Sequence, residues 1–222
     1  MTRKPVIAMD GFSSTGKSSI SKFIAKELGL IHMDTGALYR GITYFALSNC
    51  LENNEINLEA LYSKMDEIHL EFKEVDNALN LFLNDTDISK EIRSQYVSDN
   101  VSFIAKQGKI RDFLLATQRN IAKNGGVIMD GRDIGTVVLP DADYKFFLTA
   151  SIEERTKRRF LELQQLGMEQ DIDTVRENLI TRDKIDSERE ISPLKQADDA
   201  ILIDNSDLNK EETINLILSY IS

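Results

Sequence analysis

The segment GFSSTGKSS at residues 11–19 constrains this chain more than any other part of its sequence. It matches the pattern G-x-x-x-x-G-K-[ST], with Lys17 and Ser18 in the last two positions. The glycines of this pattern let successive backbone N–H groups point at phosphate oxygens, and the lysine reaches the β and γ phosphates. The segment therefore predicts a nucleoside triphosphate site, with the Ser18 hydroxyl as a ligand of Mg²⁺. The predicted contacts are Gly11, Phe12, Ser13, Ser14, Thr15, Gly16, Lys17, Ser18 and Ser19.

The residues on either side supply the secondary structure that this pattern requires. Residues 6–9 (VIAM) form a short apolar run, typical of a buried parallel strand. Ile20, Ile24 and Leu28 recur at helical spacing, and Gly29 follows where a helix commonly ends. Strand, glycine-rich turn and helix thus occur in the required order, which favours a true P-loop over an unrelated Gly/Ser turn.

Apolar strands alternate with helical patterns towards both ends of the chain. The predicted strands are 30–33, 127–129, 144–148 and 200–203, and the predicted helices are 37–47, 110–121, 151–166 and 208–221. Such alternation predicts an α/β fold with a parallel β-sheet core flanked by helices.

The interval from about residue 51 to 100 interrupts this alternation. Residues 69–75 and 79–84 alternate apolar and polar side chains around Asp76-Asn77, a pattern that predicts a small antiparallel hairpin. An insertion with its own small sheet is a candidate substrate-binding lobe. A surface elaboration without a binding role is the alternative.

Composition narrows the classes of partner and compartment. A formal net charge of −10 argues against general affinity for nucleic acid or anionic membrane. The single cysteine, Cys50, excludes an internal disulfide and fits a reducing compartment. The two histidines, His32 and His69, are too few for a Cys/His zinc cluster, and we interpret them as structural strand residues. We expect a cytoplasmic, monomeric protein with no nucleic-acid or membrane partner.

Polar motifs follow two of the predicted strands. Asp34-Thr35-Gly36, with Arg40 beyond it, follows the second strand, and Asp130-Gly131-Arg132-Asp133 follows the third. Ligands of open parallel sheets bind at the carboxyl ends of the strands, which is where both motifs fall. Each motif taken alone is also compatible with an ordinary salt bridge in a loop.

Two further groups of charged residues lie in predicted helical segments. Arg182, Asp186 and Arg189 are spaced four and three apart and would share a helical face. The arginines of residues 155–159 cluster after a predicted core strand, where they could neutralise a transferring phosphoryl group. Solvated helix faces are the alternative for both groups.

Taken together, these motifs resemble the bacterial cytidylate kinase family of the P-loop nucleoside monophosphate (NMP) kinases. The resemblance covers nearly the whole chain. It rests on MDGFSSTGKSS, MDTGALYRGIT, DISKEIRSQYVS, MDGRDIGTVVLPDAD and RDKIDSEREISPLKQADDA. The family often has proline at position 12 and alanine or glycine at position 15, so Phe12 and Thr15 depart from its pattern.

The resemblance implies a division of the chain and a reaction. Residues 1–40, 101–150 and 171–222 would form a P-loop core, 41–100 an NMP-binding insert with a small antiparallel sheet, and 151–170 a short lid. ATP would phosphorylate CMP or dCMP with Mg²⁺ as cofactor. Another P-loop small-molecule kinase and a regulatory GTP-binding switch are the alternatives. The motifs DGRD and RDKIDSER oppose the first, and the absence of N-K-x-D from the sequence opposes the second.

The resemblance also implies roles for individual residues. Those expected to assist phosphoryl transfer are Lys17, Arg132, Arg158 and Arg189. The residues expected to hold the acceptor nucleotide are Thr35, Arg40, Ser102, Arg111, Asp130, Arg132, Asp133, Arg182, Asp186 and Arg189. Within this set Ser102, Arg111 and Asp133 would read the cytosine, and Arg182 and Asp186 the ribose. Thr35, Arg40, Arg132 and Arg189 would hold the acceptor phosphate, and Asp130 would support the others.

Overall fold

The computed structural model describes residues 3–75 and 78–221. Its strands are β1 (Val6–Gly11), β2 (Ile31–Asp34), β3 (Leu51–Glu52), β4 (Glu55–Ile56), β5 (Leu70–Val75), β6 (Ala78–Leu83), β7 (Thr86–Asp87), β8 (Val127–Asp130), β9 (Tyr144–Thr149) and β10 (Ile201–Asp204). Its α-helices are α1 (Lys17–Leu28), α2 (Thr35–Asn49), α3 (Leu58–Ser63), α4 (Gln95–Ala105), α5 (Gly108–Ala122), α6 (Ile152–Gln165), α7 (Ile172–Glu188) and α8 (Lys210–Leu218).

The chain divides into two compact units. The first contains residues 1–34 and 115–222, and the second contains residues 35–114. The functional division expected from the sequence, with a lid at 151–170 and an insert at 41–100, stays a prediction.

The first unit is built on a five-stranded sheet with the order β10-β9-β1-β8-β2, in which every pair is parallel. The four strands predicted from apolar runs beyond the first are β2, β8, β9 and β10, each within one residue of its expected bounds. The α/β prediction is confirmed. β1 is buried along its whole length, as expected for the central strand of a parallel sheet.

One face of this sheet is covered by α1 and α8. Ile7 and Met9 of β1, Ile128 of β8 and Phe146 of β9 lie in one buried cluster with side chains of these helices. Side chains alternate between the faces of a strand, so Asp10 points to the opposite face. There the turn of π-helix at Ile134–Val138 contacts β1.

The second unit contains the small antiparallel sheet β5-β6-β7 and a β3-β4 hairpin. β5 and β6 pair from Leu70 opposite Leu83 to Val75 opposite Ala78, so the predicted hairpin strands are confirmed. The predicted turn at residues 76 and 77 lies outside the described residues. Within this unit α2 packs against α4.

No helix in the described part of the chain is both long enough and apolar enough to cross a membrane.

Candidate active site

The backbone of residues 11–19 explains why glycine stands at its two fixed positions. A Cβ on Gly11 would lie 2.0 Å from the carbonyl oxygen of Leu148, so the loop leaves β1 in contact with β9. Gly16 has φ +90° and begins α1, a conformation that L side chains rarely adopt. Ser14 is also left-handed, with φ 60°. The loop is therefore held in a sharply turned shape.

The N-terminus of α1 faces this loop without a capping side chain among the described residues. Its leading N–H groups and its dipole therefore favour an anion, as at other phosphate-binding helix starts. Lys17 is buried, and its Nζ donates to the carbonyl oxygen of Phe12 at 2.5 Å. Burial lowers the pKa of Lys17 well below its usual 10.5, and the neighbouring charge of Arg132 adds to this effect.

Ser18, the next residue, contacts a carboxylate at the end of β8. Its Oγ donates to Oδ2 of Asp130 at 2.5 Å, and Nε2 of His32 lies 2.6 Å from the other carboxylate oxygen. The resemblance assigned Asp130 only a supporting role, and His32 was interpreted as structural. The structure brings Asp130 into contact with the P-loop helix, and His32 into contact with Asp130.

Two arginine–aspartate pairs tie the loop to α7. Nε of Arg132 donates to Asp186 at 2.9 Å, and its Nη2 donates to the hydroxyl of Ser13 at 2.9 Å. Asp183 accepts the backbone N–H of Ser13 at 3.1 Å and forms an ion pair with Arg155. Ser13 thus joins both pairs, which fixes the loop against α7.

Arg155 belongs to the cluster predicted to lie over a triphosphate, but its own contacts are structural. Its guanidinium donates to the carbonyl oxygens of Ala150 and Ser13, at 3.0 and 3.2 Å. The same group lies 5.3 Å from the ring centre of Phe12, which meets Phe147 edge-on at 5.8 Å. These contacts give the unusual Phe12 a packing role.

Arg189 and Asp133 form a third arginine–aspartate pair. Nη2 of Arg189 lies 3.3 Å from Oδ1 of Asp133, and both side chains are buried. Arg189 is the first residue beyond α7, where its backbone turns to an extended conformation, so the helical face shared by Arg182 and Asp186 ends there.

The loop that carries Arg132 and Asp133 is anchored by Asp10. This buried carboxylate accepts the backbone N–H groups of Ile134 at 2.8 Å and Gly135 at 2.7 Å. Burial raises the pKa of Asp10 from its usual 3.8 to about 6, although the two N–H groups act in the opposite direction. Sequence reasoning did not single out Asp10, because one acidic residue before a P-loop carries no pattern.

The raised pKa makes the stability of the protein depend on pH. Above pH 6 the parent must hold an ionised carboxylate in a buried position, whereas an Asp10→Asn variant has no carboxylate there. The folded parent binds the proton more tightly than the unfolded chain, so its stability falls as the pH rises from about 4 to 7. We expect the parent to lose roughly 2–3 kcal/mol relative to Asp10→Asn over this range. Urea unfolding of both proteins at each pH measures the difference, and an exposed Asp141→Asn variant should track the parent. A difference that is constant with pH would contradict this account.

Arg158 and Asn205 lie on the other side of the loop. Nδ2 of Asn205 donates to the carbonyl oxygen of Thr15 at 2.9 Å, and its Oδ1 accepts from Arg158 at 3.0 Å. They border a cavity of about 370 Å³. The cavity is lined by Ser14, Thr15, Gly16, Ser19, Ile20, Glu154, Arg158, Arg159, Glu162, Asn205, Leu208, Asn209, Lys210 and Thr213. Asn205 is a further residue that sequence reasoning missed.

Four of the predicted acceptor-site residues lie in the second unit. Thr35 begins α2 and Arg40 lies further along it, while Ser102 lies on α4 and Arg111 on α5. Thr35, Ser102 and Arg111 are buried, and the guanidinium of Arg111 lies 5.2 Å from the ring centre of Tyr39. The first unit holds the other predicted residues, namely the P-loop, Asp130, Arg132, Asp133, Arg158, Arg182, Asp186 and Arg189.

A parallel sheet whose central strand leads through this loop into α1 defines a P-loop protein of the α/β class. The chain belongs to the cytidylate kinase family, since the model of that family, described as cytidylate kinase, matches residues 7–222.

Individual relatives agree with this assignment. The chain is 44% identical over 222 residues to the cytidylate kinase of Bacillus cereus (strain B4264), covering 100% of this chain and 98% of the relative. It is 43% identical over 222 residues to that of Bacillus thuringiensis (strain Al Hakam), with the same coverage. A crystal structure of an uncharacterized protein from Eubacterium ventriosum ATCC 27560 has a TM-score of 0.54 at 16% identity, covering 99% of this chain and 98% of that one. This last likeness concerns the fold alone.

Proposed function

We propose that this protein transfers the γ-phosphoryl group of ATP to CMP or dCMP, and releases ADP and CDP or dCDP. The observation that carries the proposal is the group of cations at the P-loop, in a member of the cytidylate kinase family. Lys17 and Arg132 lie there with acidic neighbours on β8 and α7, and Arg189 lies 4.0 Å from Asp186, the partner of Arg132. Membership of this family favours CMP kinase activity over the two alternative functions.

The donor phosphates would bind to the backbone of residues 11–19. The uncapped start of α1 and the left-handed backbone at Ser14 and Gly16 are features that suit phosphate oxygens. Lys17 would turn from the carbonyl oxygen of Phe12 towards the β and γ phosphates. Their negative charge favours the ammonium form that burial alone disfavours.

The donor base and ribose would extend into the cavity of about 370 Å³ beside Arg158 and Asn205. The cavity borders the loop at Gly16, so a nucleotide whose phosphates occupy the loop could place its base there. Arg158 now donates to Asn205 and to the carbonyl oxygen of Leu208, and its expected contact with the transferring phosphate is part of this proposal.

Mg²⁺ would be held at Ser18, and the donor set fits this ion. Mg²⁺ prefers oxygen ligands and is commonly bound by one or two protein oxygens, water and phosphate oxygens. The hydroxyl of Ser18 and the carboxylate of Asp130 supply oxygens beside the phosphate-binding loop. When bound, the ion would neutralise part of the negative charge of the donor phosphates.

The acceptor needs orientation rather than deprotonation. The phosphate of CMP is already anionic near neutral pH, so the protein's task is to hold two repelling phosphates in line and to exclude water. Thr35, Arg40, Arg132 and Arg189 would hold the acceptor phosphate. Arg182 and Asp186 would hold the ribose, and Ser102, Arg111 and Asp133 the base. We propose that the lid and the insert close around the substrates, because an open site would hydrolyse ATP.

Substrate choice follows from Asp133 in this proposal. Cytosine presents an amino donor to an ionised carboxylate, whereas uracil presents a carbonyl oxygen, which leaves two acceptors facing each other. An Asp133→Asn variant supplies a donor for uracil and keeps an oxygen that can accept from Arg189. An unpaired buried polar group costs roughly 1–3 kcal/mol, so we expect the preference for CMP over UMP to fall about 5- to 150-fold.

The ratio of kcat/KM for CMP and UMP in the parent and the Asp133→Asn variant measures this effect, with KM for ATP as the internal control. An unaltered ratio would show that Asp133 does not read the base. The wider proposal is tested by ADP release with CMP, dCMP, UMP, AMP and GMP. We expect CMP and dCMP to be the best acceptors.

A further inference from the structure

A hydrogen-bonded chain of three side chains links the P-loop helix to the edge strand of the sheet. Ser18 donates to one oxygen of Asp130, and Nε2 of His32 lies 2.6 Å from the other. The imidazole can donate from Nε2 to this carboxylate oxygen in the tautomer that carries the proton on Nε2. Both oxygens of a buried carboxylate are therefore engaged by side chains, one of them on the P-loop itself.

The register of the sheet explains how residues so distant in sequence meet. β2 and β8 pair with His32 opposite Ile128 and Asp34 opposite Asp130. His32 and Asp130 consequently point to the same face as Ile128, which is the face that α1 covers. Ser18 lies in the first turn of α1, directly beside the end of β8.

The surroundings of Asp130 make its orientation sensitive to His32. Asp130 is buried, and the charges of Lys17 and Arg132 also act on it. A carboxylate without the imidazole donor would be drawn towards these cations. We expect the hydrogen bond from Ser18 to Asp130 to weaken as a result.

We propose that His32 is a positioning residue for the divalent cation. By holding one oxygen of Asp130, it directs the other towards Ser18, and so keeps the lone pairs of the Ser18 hydroxyl turned to the phosphate side. This inference rests on the proposed kinase function, because that function supplies the cation and the nucleotide. Residues that orient metal ligands typically change metal affinity by 10- to 100-fold when they are removed.

The test measures cation binding directly, with Mn²⁺ as the probe and the complex of the full-length protein with ADP as the receptor. His32→Phe keeps a ring but removes the donor, whereas His32→Gln keeps an N–H that can reach Asp130. We expect His32→Phe to weaken Mn²⁺ binding about tenfold, and His32→Gln to stay within about twofold of the parent. The electron paramagnetic resonance signal of unbound Mn²⁺ reports the dissociation constant. His69→Phe, at the exposed second histidine, is the matched control and should leave it unchanged.

ADP binding without metal separates this role from a general disturbance of the loop, and it should be equal in the parent and all three variants. If His32→Phe does not fold, as judged by thermal unfolding, His32→Leu takes its place. Mn²⁺ affinity that is unchanged in His32→Phe would overturn the inference, as would equal weakening in His32→Phe and His32→Gln. A parent protein that binds Mn²⁺ with ADP but does not phosphorylate CMP would instead count against the proposed function.

Discussion

A Lys17→Met variant is expected to lose phosphoryl transfer almost completely while remaining folded. Methionine keeps the length of the side chain but removes the charge that would face the β and γ phosphates. Loss of one preorganised charge-stabilising contact typically costs about 2.7–4 kcal/mol, or roughly 10²–10³ in kcat. CMP binding should change little, because Lys17 is assigned to the donor phosphates.

The burial of Lys17 sharpens this test. Burial lowers the pKa of Lys17, so the charged ammonium form is unfavourable in the folded protein. We therefore expect the melting temperature of Lys17→Met to be equal to that of the parent or higher. A melting temperature that is not lowered would show that the loss of activity does not come from unfolding. Lys22→Met, at an exposed position of the same helix, is the control and should retain the rate of the parent. Near-normal turnover by a folded Lys17→Met protein would refute the assignment of the P-loop.

An Arg132→Ala variant is expected to have the second large effect, which concerns the use of CMP rather than of ATP. Arg132 is assigned to the acceptor phosphate, and its guanidinium also joins Asp186 to Ser13. Its removal should raise KM for CMP and lower kcat, with a combined loss of roughly 10²–10³ in kcat/KM. The dissociation constant for ATP, measured without CMP, should change far less.

Arg132→Lys and Arg176→Ala are the comparison variants. Lysine keeps the positive charge but cannot contact Asp186 and Ser13 in the same forked geometry, so it should restore activity only in part. Arg176 is exposed on α7, and its loss should leave both substrates unaffected. If Arg132→Ala raised the dissociation constant for ATP and left KM for CMP unchanged, Arg132 would belong to the donor site instead.

Much of the fold could be predicted from the sequence because the patterns that indicate strands, helix ends and hairpins involve residues close together in the chain. Apolar runs gave the strands of the parallel sheet, and Gly29 ends α1 with φ 61° as its position suggested. The alternation around residues 76 and 77 likewise gave the paired strands β5 and β6. Each of these depends on neighbours within a few residues.

The contacts that complete the site depend on pairings between distant segments. Ser18 and Asp130 are 112 residues apart, and His32 and Asp130 are 98 apart. The register of β2 against β8 brings His32 to Asp130, and the packing of α1 against β8 brings Ser18 there. Arg155 illustrates the same limit, because three arginines within five residues cannot reveal which one folds inward against Ser13 and Asp183.

The central claim is that the γ-phosphoryl group of ATP passes to the phosphate of CMP, and following that group tests it most directly. The protein is incubated with ATP labelled at the γ phosphorus and Mg²⁺, with CMP, dCMP, AMP or GMP as the acceptor in parallel reactions, and the labelled products are separated. We predict that the label appears in the β phosphate of CDP, in step with the ADP formed. Label recovered only as inorganic phosphate, or transferred to AMP or GMP in preference to CMP and dCMP, would contradict the account.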